Sequence, residues 1–140
     1  MNDRPKMLIV EDNPDDLDLL KRAIRKSSVH VECEIATDGD AAVSALERAG
    51  AVEGRTPRVV LLDLKLPRRS GFEVLEWMRS DVAVRRVPVV ILTSSDNSDD
   101  LARAYDLGAN SYLVKPVSPA ALSAMVEQID AYWLRLNNVA

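Results

Sequence analysis

Two hydrophobic rhythms alternate along the chain. Continuous apolar runs occupy residues 6–11 (KMLIVE), 58–63 (RVVLLD) and 87–93 (VPVVILT), with mixed or shorter runs at 29–37 and 111–114. Such runs predict strands, and RVVLLD reads as a central one covered on both faces. Pro88 cannot donate a ladder hydrogen bond, so it belongs near the start of its strand. Between the runs, apolar residues recur at helical spacing. Leu17, Leu20 and Ile24 mark a first helix, with Asn13 as N-cap, Pro14 at the first helical position, and Asp15 and Asp16 in the first turn. A second helix is expected from Asp40, with Ala42, Leu46 and Ala49 on one face, followed by a loop at 50–57. Val74, Leu75 and Met78 mark a third. Ser98, Asp99 and Asp100 open a fourth, carrying Leu101, Ala104, Tyr105 and Leu107 and ending at Gly108. Ser118 and Pro119 cap a last helix running to about Leu136.

Strand and helix thus alternate five times. Parallel neighbours need a crossover, and right-handed helical crossovers cover both faces of a sheet. The pattern predicts an α/β fold with a doubly wound parallel sheet. Ligands of such sheets bind at the carboxyl ends of the strands, near the topological switch point.

Composition adds boundaries to this picture. The 140 residues fit one domain, expected over 6–136, with 1–5 a short flexible N-terminus and 137–140 a tail. The net charge is -4 and the 18 basic residues form no long run, which gives no support to nucleic-acid or membrane binding. Cys33 is the single cysteine, so no internal disulfide can form; it reads as a small apolar strand residue in a reducing cytoplasm. The polar start has no signal-peptide pattern, and no apolar run approaches the roughly 18 residues that cross a bilayer. No linker or repeat is evident, so the output is expected to pass through the surface of this one domain.

The strand ends carry the chemistry: Glu11-Asp12, Asp63, Thr93-Ser94 and Lys115-Pro116. Each has an ordinary explanation alone, as a helix-terminus acid, a strand threonine or a solvated turn. Together they are more telling. Three carboxylates at one edge repel unless a cation lies among them, and oxygen-only donors select a hard ion such as Mg²⁺. A group requiring both such an ion and a lysine is a phosphoryl group, and the nucleophile receiving it can be a carboxylate.

The quoted strand ends, with LLDLKLPRRSG at 61–71, LTSS at 92–95 and SYLVKP at 111–116, resemble the receiver domain of two-component response regulators. The resemblance covers about residues 6–136. It implies a flavodoxin-like sheet of order 2-1-3-4-5 with five helices, and phosphorylation of Asp63 by a sensor histidine kinase. It further implies Mg²⁺ (or Mn²⁺) held by Asp12, Asp63 and the backbone carbonyl of Lys65, with Glu11 acting through water. Thr93 would turn its hydroxyl to the phosphoryl oxygen, Lys115 would pair with its charge, and Tyr112 would swing inward. Ser94 leaves room for the group. The Lys115–Pro116 bond is expected to be cis.

SSVH at 27–30, RAYDLGANSYLVKP at 103–116 and AYWLRL at 131–136 are similar to the stand-alone regulators that partner bacterial phytochrome kinases. That likeness implies a light-sensing kinase, no DNA-binding output, and a homodimer through helix 4, strand 5 and helix 5. Leu122, Met125, Val126, Ile129, Tyr132, Trp133 and Leu136 form a wide apolar stripe, of which Tyr132, Trp133 and Leu136 are candidates for a partner contact. Trp77, off the apolar face of its helix, is expected to be exposed, and His30 to be an ordinary surface or half-buried residue. Two other readings compete. A turnover phosphatase of the haloacid-dehalogenase type wants a second Asp two residues after the nucleophile, where this chain has Lys65. A nucleotide site wants a glycine-rich turn after the first strand, where this chain has Glu-Asp-Asn-Pro.

Overall fold

Five parallel strands pair in the order β2-β1-β3-β4-β5 in the computed structural model, which describes residues 4–27 and 30–140. They are β1 (Lys6–Val10), β2 (Glu32–Ala36), β3 (Val59–Leu62), β4 (Val89–Thr93) and β5 (Ser111–Val114). The helices are α1 (Pro14–Lys26), α2 (Gly39–Gly50), α3 (Gly71–Ser80), α4 (Ser98–Asp106) and α5 (Pro119–Ile129). The two-residue period of the strands divides the core into two layers. Leu8, Val10, Val60, Leu62 and Ile91 pack with Leu46, Leu75, Met78 and Ala104 of α2, α3 and α4. Met7, Ile9, Val59, Leu61, Val90 and Leu92 face the other way, onto Leu20 and Ala23 of α1 and Leu122, Val126 and Ile129 of α5. β1, β3 and β4 are covered on both sides, which is why their sequences show no alternation. The expected architecture and strand order are both present.

Local chemistry sets the element ends. Asn13 caps α1 by accepting from the amides of Asp15 and Asp16 at 2.9 and 3.1 Å, and Ser118 caps α5 with Pro119 at its start. Ser70 and Glu73 form a reciprocal capping box on α3. One start differs from the sequence expectation. Asp38 caps α2, accepting from the Ala41 amide at 2.6 Å, so that helix begins ahead of Asp40. α4 opens at Ser98 as expected, with Asn97 as its cap. The expected start of β2 at Val29 lies outside the described residues, as does part of the SSVH segment.

Arg79, at the end of α3, joins three segments. Its Nε and Nη2 donate to Gly108 O at 3.0 and 2.8 Å, and Nη2 also donates to Asn110 Oδ1 at 3.0 Å. Nη1 donates to Arg85 O at 3.0 Å and Val87 O at 2.8 Å. All five guanidinium donors are engaged. Burial pushes the Arg79 pKa down from its ordinary value. Gly108 has φ +105, and a Cβ there would meet Arg79 Nε at 2.9 Å, so both the turn and the clasp require glycine.

Beyond Ile129 the helix widens into a π-helical segment, Asp130–Leu136, closed by a five-residue hydrogen bond from the Asn137 amide to Tyr132 O at 2.6 Å. The wider turn changes which side chains face the core. Leu134, outside the predicted apolar stripe, is 4% exposed, whereas Leu136, a candidate for partner contact, is 71% exposed. Tyr132 is exposed, whereas Trp133 is half-buried, with its ring edge-on to Tyr132 at 4.8 Å. Asp130 is buried and pairs with Arg135 at 2.6 Å.

The Lys115–Pro116 bond is trans, as is every peptide bond among the described residues, in keeping with the lower-energy isomer of an X–Pro bond. Cys33 is exposed because β2 is an edge strand. Trp77 is half-buried against the α2–α3 core layer, and of the apolar residues of α4 only Ala104 is buried. His30 is exposed, as expected.

Candidate functional site

The carboxyl edge of the sheet is extended one residue beyond the strands by backbone hydrogen bonds. The Glu11 amide donates to Ala36 O at 3.0 Å, Asp63 to Val10 O at 3.1 Å, and Lys115 to Thr93 O at 2.8 Å. These bonds fix the backbones from which Glu11, Asp63 and Lys115 project. Gly71 lets the loop after Asp63 close tightly: a Cβ there would lie 2.2 Å from Asp63 O, and its amide donates to Leu64 O at 2.9 Å. Arg68 at φ 69 turns the same loop, and Arg68 and Arg69 pair with Asp38 and Asp40 at the start of α2.

The side chains converge as the sequence predicts. Lys115 Nζ lies 2.5 Å from Glu11 Oε1 and 2.8 Å from Asp63 Oδ2. Carboxylate oxygens of Glu11, Asp12 and Asp63 lie within 4.8 Å of one another. Glu11 and Asp63 are buried and Asp12 is exposed. The Asn13 amide supports Glu11 Oε2 at 3.1 Å, and the Lys65 amide donates to Asp63 Oδ1 at 3.3 Å. Burial pushes the Glu11 pKa up, opposed by its bond to Lys115 and assisted by the Asp63 charge. Burial would lower the Lys115 pKa, but hydrogen bonds to Asp16, Asp63 and Glu11 hold it far above the usual lysine range.

Sequence reasoning missed Asp16. Its Oδ2 accepts from Lys115 Nζ at 2.8 Å, joining the first turn of α1 to the end of β5. The one available signal was its position in the turn directly after Glu11-Asp12, and a role in helix capping electrostatics already explained it.

One ammonium among four carboxylates leaves the edge strongly negative. Like charges about 5 Å apart repel by roughly 3 kcal/mol at an effective dielectric of 20, so the donor set fits a hard divalent cation. Glu11, Asp12 and Asp63 are the side chains able to hold it.

Thr93 is fully buried at the end of β4, where its Oγ1 accepts from the Ser95 amide at 3.4 Å. Ser95 is a junction. Its hydroxyl donates to Asp100 Oδ2 at 2.7 Å on α4, and its carbonyl accepts from Tyr112 Oη at 2.9 Å on β5. Thr93, α4 and Tyr112 therefore meet at one residue. A cleft of about 550 Å³ lies elsewhere, between β2 and the end of α2, and includes none of these side chains.

A buried acid sharing its ammonium with neighbouring acids, at the switch point of such a sheet, is the arrangement of a phosphoryl-receiving signalling domain. The chain belongs to the response regulator receiver domain family, whose model matches residues 7–127. It is 42% identical over 131 residues to the probable methanogenesis regulatory protein FilR2 of Methanothrix harundinacea, covering 94% of this chain and 84% of that protein. It is 39% identical over 132 residues to response regulator Rcp1 of a Synechocystis species, covering 93% and 90%. The Mn²⁺-bound structure of Rcp1 aligns with a TM-score of 0.83 over 97% of this chain and 99% of that one. The phosphorylated cyanobacterial phytochrome response regulator RcpA aligns at 0.87, with 35% identity over 97% and 98% of the two chains. Receiver domains are signalling proteins that respond to histidine kinases, and this one carries an acidic cluster able to hold a divalent metal. No helix of the described residues is long and apolar enough to cross a membrane.

Proposed function

We propose that Asp63 accepts the phosphoryl group, in a Mg²⁺-dependent reaction, from the phosphohistidine of a sensor kinase. One Asp63 carboxylate oxygen attacks phosphorus, the P–N bond breaks, and its electron pair leaves with the imidazole, which takes up a proton. The observation that carries this reading is the Asp63 side chain, 8% exposed yet facing Lys115 Nζ at 2.8 Å at the strand edge. Glu11, Asp12, Asp63 and the Lys65 carbonyl would hold the cation, which when bound offsets charge on the transferring oxygens. Lys115 offsets the remainder. Asp63 returns to its free form by hydrolysis, so the chain catalyses only its own phosphorylation and dephosphorylation.

Phosphorylation adds roughly -1.5 to -2 charges and three strong acceptors at one point. Thr93 can donate its hydroxyl to one of them. Doing so alters its contact with Ser95, and with it the bonds to Asp100 and Tyr112. The face of α4, β5 and α5 is thereby the output. Leu101, Tyr105, Val114 and Val117 are exposed on these elements or the adjoining loop, which supports pairing with a second copy. Tyr132 and Leu136 could extend that contact; Trp133, packed inward, has less to offer. Similarity to RcpA, a cyanobacterial phytochrome response regulator, and to the bacteriophytochrome response regulator AtBRR supports a bacteriophytochrome-type kinase upstream; a cytoplasmic setting belongs to the same reading.

Incubation of the protein with acetyl phosphate and Mg²⁺, followed by mass spectrometry, tests the acceptor. One added phosphoryl group is expected on the parent chain and none on Asp63→Asn. Equal labelling of the two would reassign the acceptor.

A further inference from the structure

Lys115 has three carboxylate partners, and only two of them belong to the cation cluster. Glu11 and Asp63 share oxygens between the ammonium and the group that can hold a metal. Asp16 does not belong to that group, yet its Oδ2 lies as close to Nζ as does that of Asp63, 2.8 Å in each case. It also lies further out. The Asp16 side chain is 39% exposed, against 8% for Asp63.

This arrangement poses an electrostatic problem with a built-in solution. An ammonium bonded to Glu11 and Asp63 stands beside the position a divalent cation takes among Glu11, Asp12 and Asp63. Two positive centres a few ångström apart repel, so loading the cluster requires Lys115 to loosen its hold on those two acids. Release into water would forfeit the pairing and leave a long, mobile side chain to be gathered again when the phosphoryl group arrives. Asp16 removes that need. It is already in contact, it sits on the solvent side, and a small swing of the flexible lysine stem suffices to exchange partners.

We propose that Asp16 is a positioning residue that receives Lys115 when a divalent cation occupies the cluster, keeping the ammonium at the edge and within reach of Asp63. The proposal rests on the reading of Glu11, Asp12 and Asp63 as the cation site. Asp16 touches neither the cation nor the phosphoryl group; it acts through Lys115 alone.

That dependence is what an experiment can isolate. Mn²⁺ affinity is measured from the electron paramagnetic resonance signal of free Mn²⁺, for the parent chain, Asp16→Asn, Lys115→Gln and the double variant. Circular dichroism verifies that each is folded. Asp16→Asn is expected to weaken Mn²⁺ binding about fivefold when Lys115 is present, the size of a partly exposed ion pair, and less than twofold in the Lys115→Gln background. Asp16→Glu, which keeps the carboxylate, should stay within about twofold of the parent. An equal loss in both backgrounds would mean that Asp16 acts only by its field on the cation, and would overturn the proposal. So would unchanged affinity in Asp16→Asn. Asp12→Asn examines the underlying reading separately: if it leaves Mn²⁺ affinity intact, the cation site itself is misassigned, whatever Asp16 does.

Discussion

Arg79 contributes through acceptors that any residue could have supplied, since four of its five bonds end on main-chain carbonyls. Arg79→Ala leaves those carbonyls without donors, and a loss of about 3 kcal/mol is expected from the urea midpoint. Arg79→Lys should recover little of it, because a point charge cannot fill a planar fork. Nothing in the sequence marks this residue: backbone acceptors carry no signature. The site residues were legible for the opposite reason. Glu11, Asp63, Thr93 and Lys115 each end a run of strand residues, so their convergence followed once the runs were read as parallel strands. Asp16 escaped notice because a first-turn acid already had a sufficient role, and its partner lies 99 positions away.

At the scale of elements, the buried strands and their caps could be read closely, while the end of α5 could not. The apolar stripe from Leu122 to Leu136 fits a regular helix, and a π-helical turn has no distinct hydrophobic pattern of its own. The widened turn places Leu134 in the core and Leu136 in solvent. Leu134→Ala is accordingly expected to cost about 3 kcal/mol in urea unfolding, and Leu136→Ala less than about 0.5 kcal/mol. Equal costs would mean that regular helical phase continues to the end. α4 shows the converse. Its apolar residues were visible in the sequence, but whether Leu101 and Tyr105 met the core or the solvent depended on how that helix sits on the sheet.

For the whole molecule, the strand order came from resemblance, since alternation alone establishes a parallel sheet without ordering it. The same order places β5 at an edge, beside the exposed apolar residues of α4. If that face pairs two copies, light scattering at high micromolar concentration will give twice the monomer mass in the presence of a phosphoryl analogue. A monomer with and without it would remove the homodimer, and Leu101→Glu should then be silent. The Arg79 clasp has a mechanical consequence for this output. It grips Val87, Gly108 and Asn110 at the amino ends of β4 and β5, while the pull proposed for phosphorylation would act at Thr93 and Lys115, at their far ends. The two strands would then be levers on a common fulcrum. A small displacement at their tips would become a tilt about a fixed base, passing to α4 and the neighbouring face.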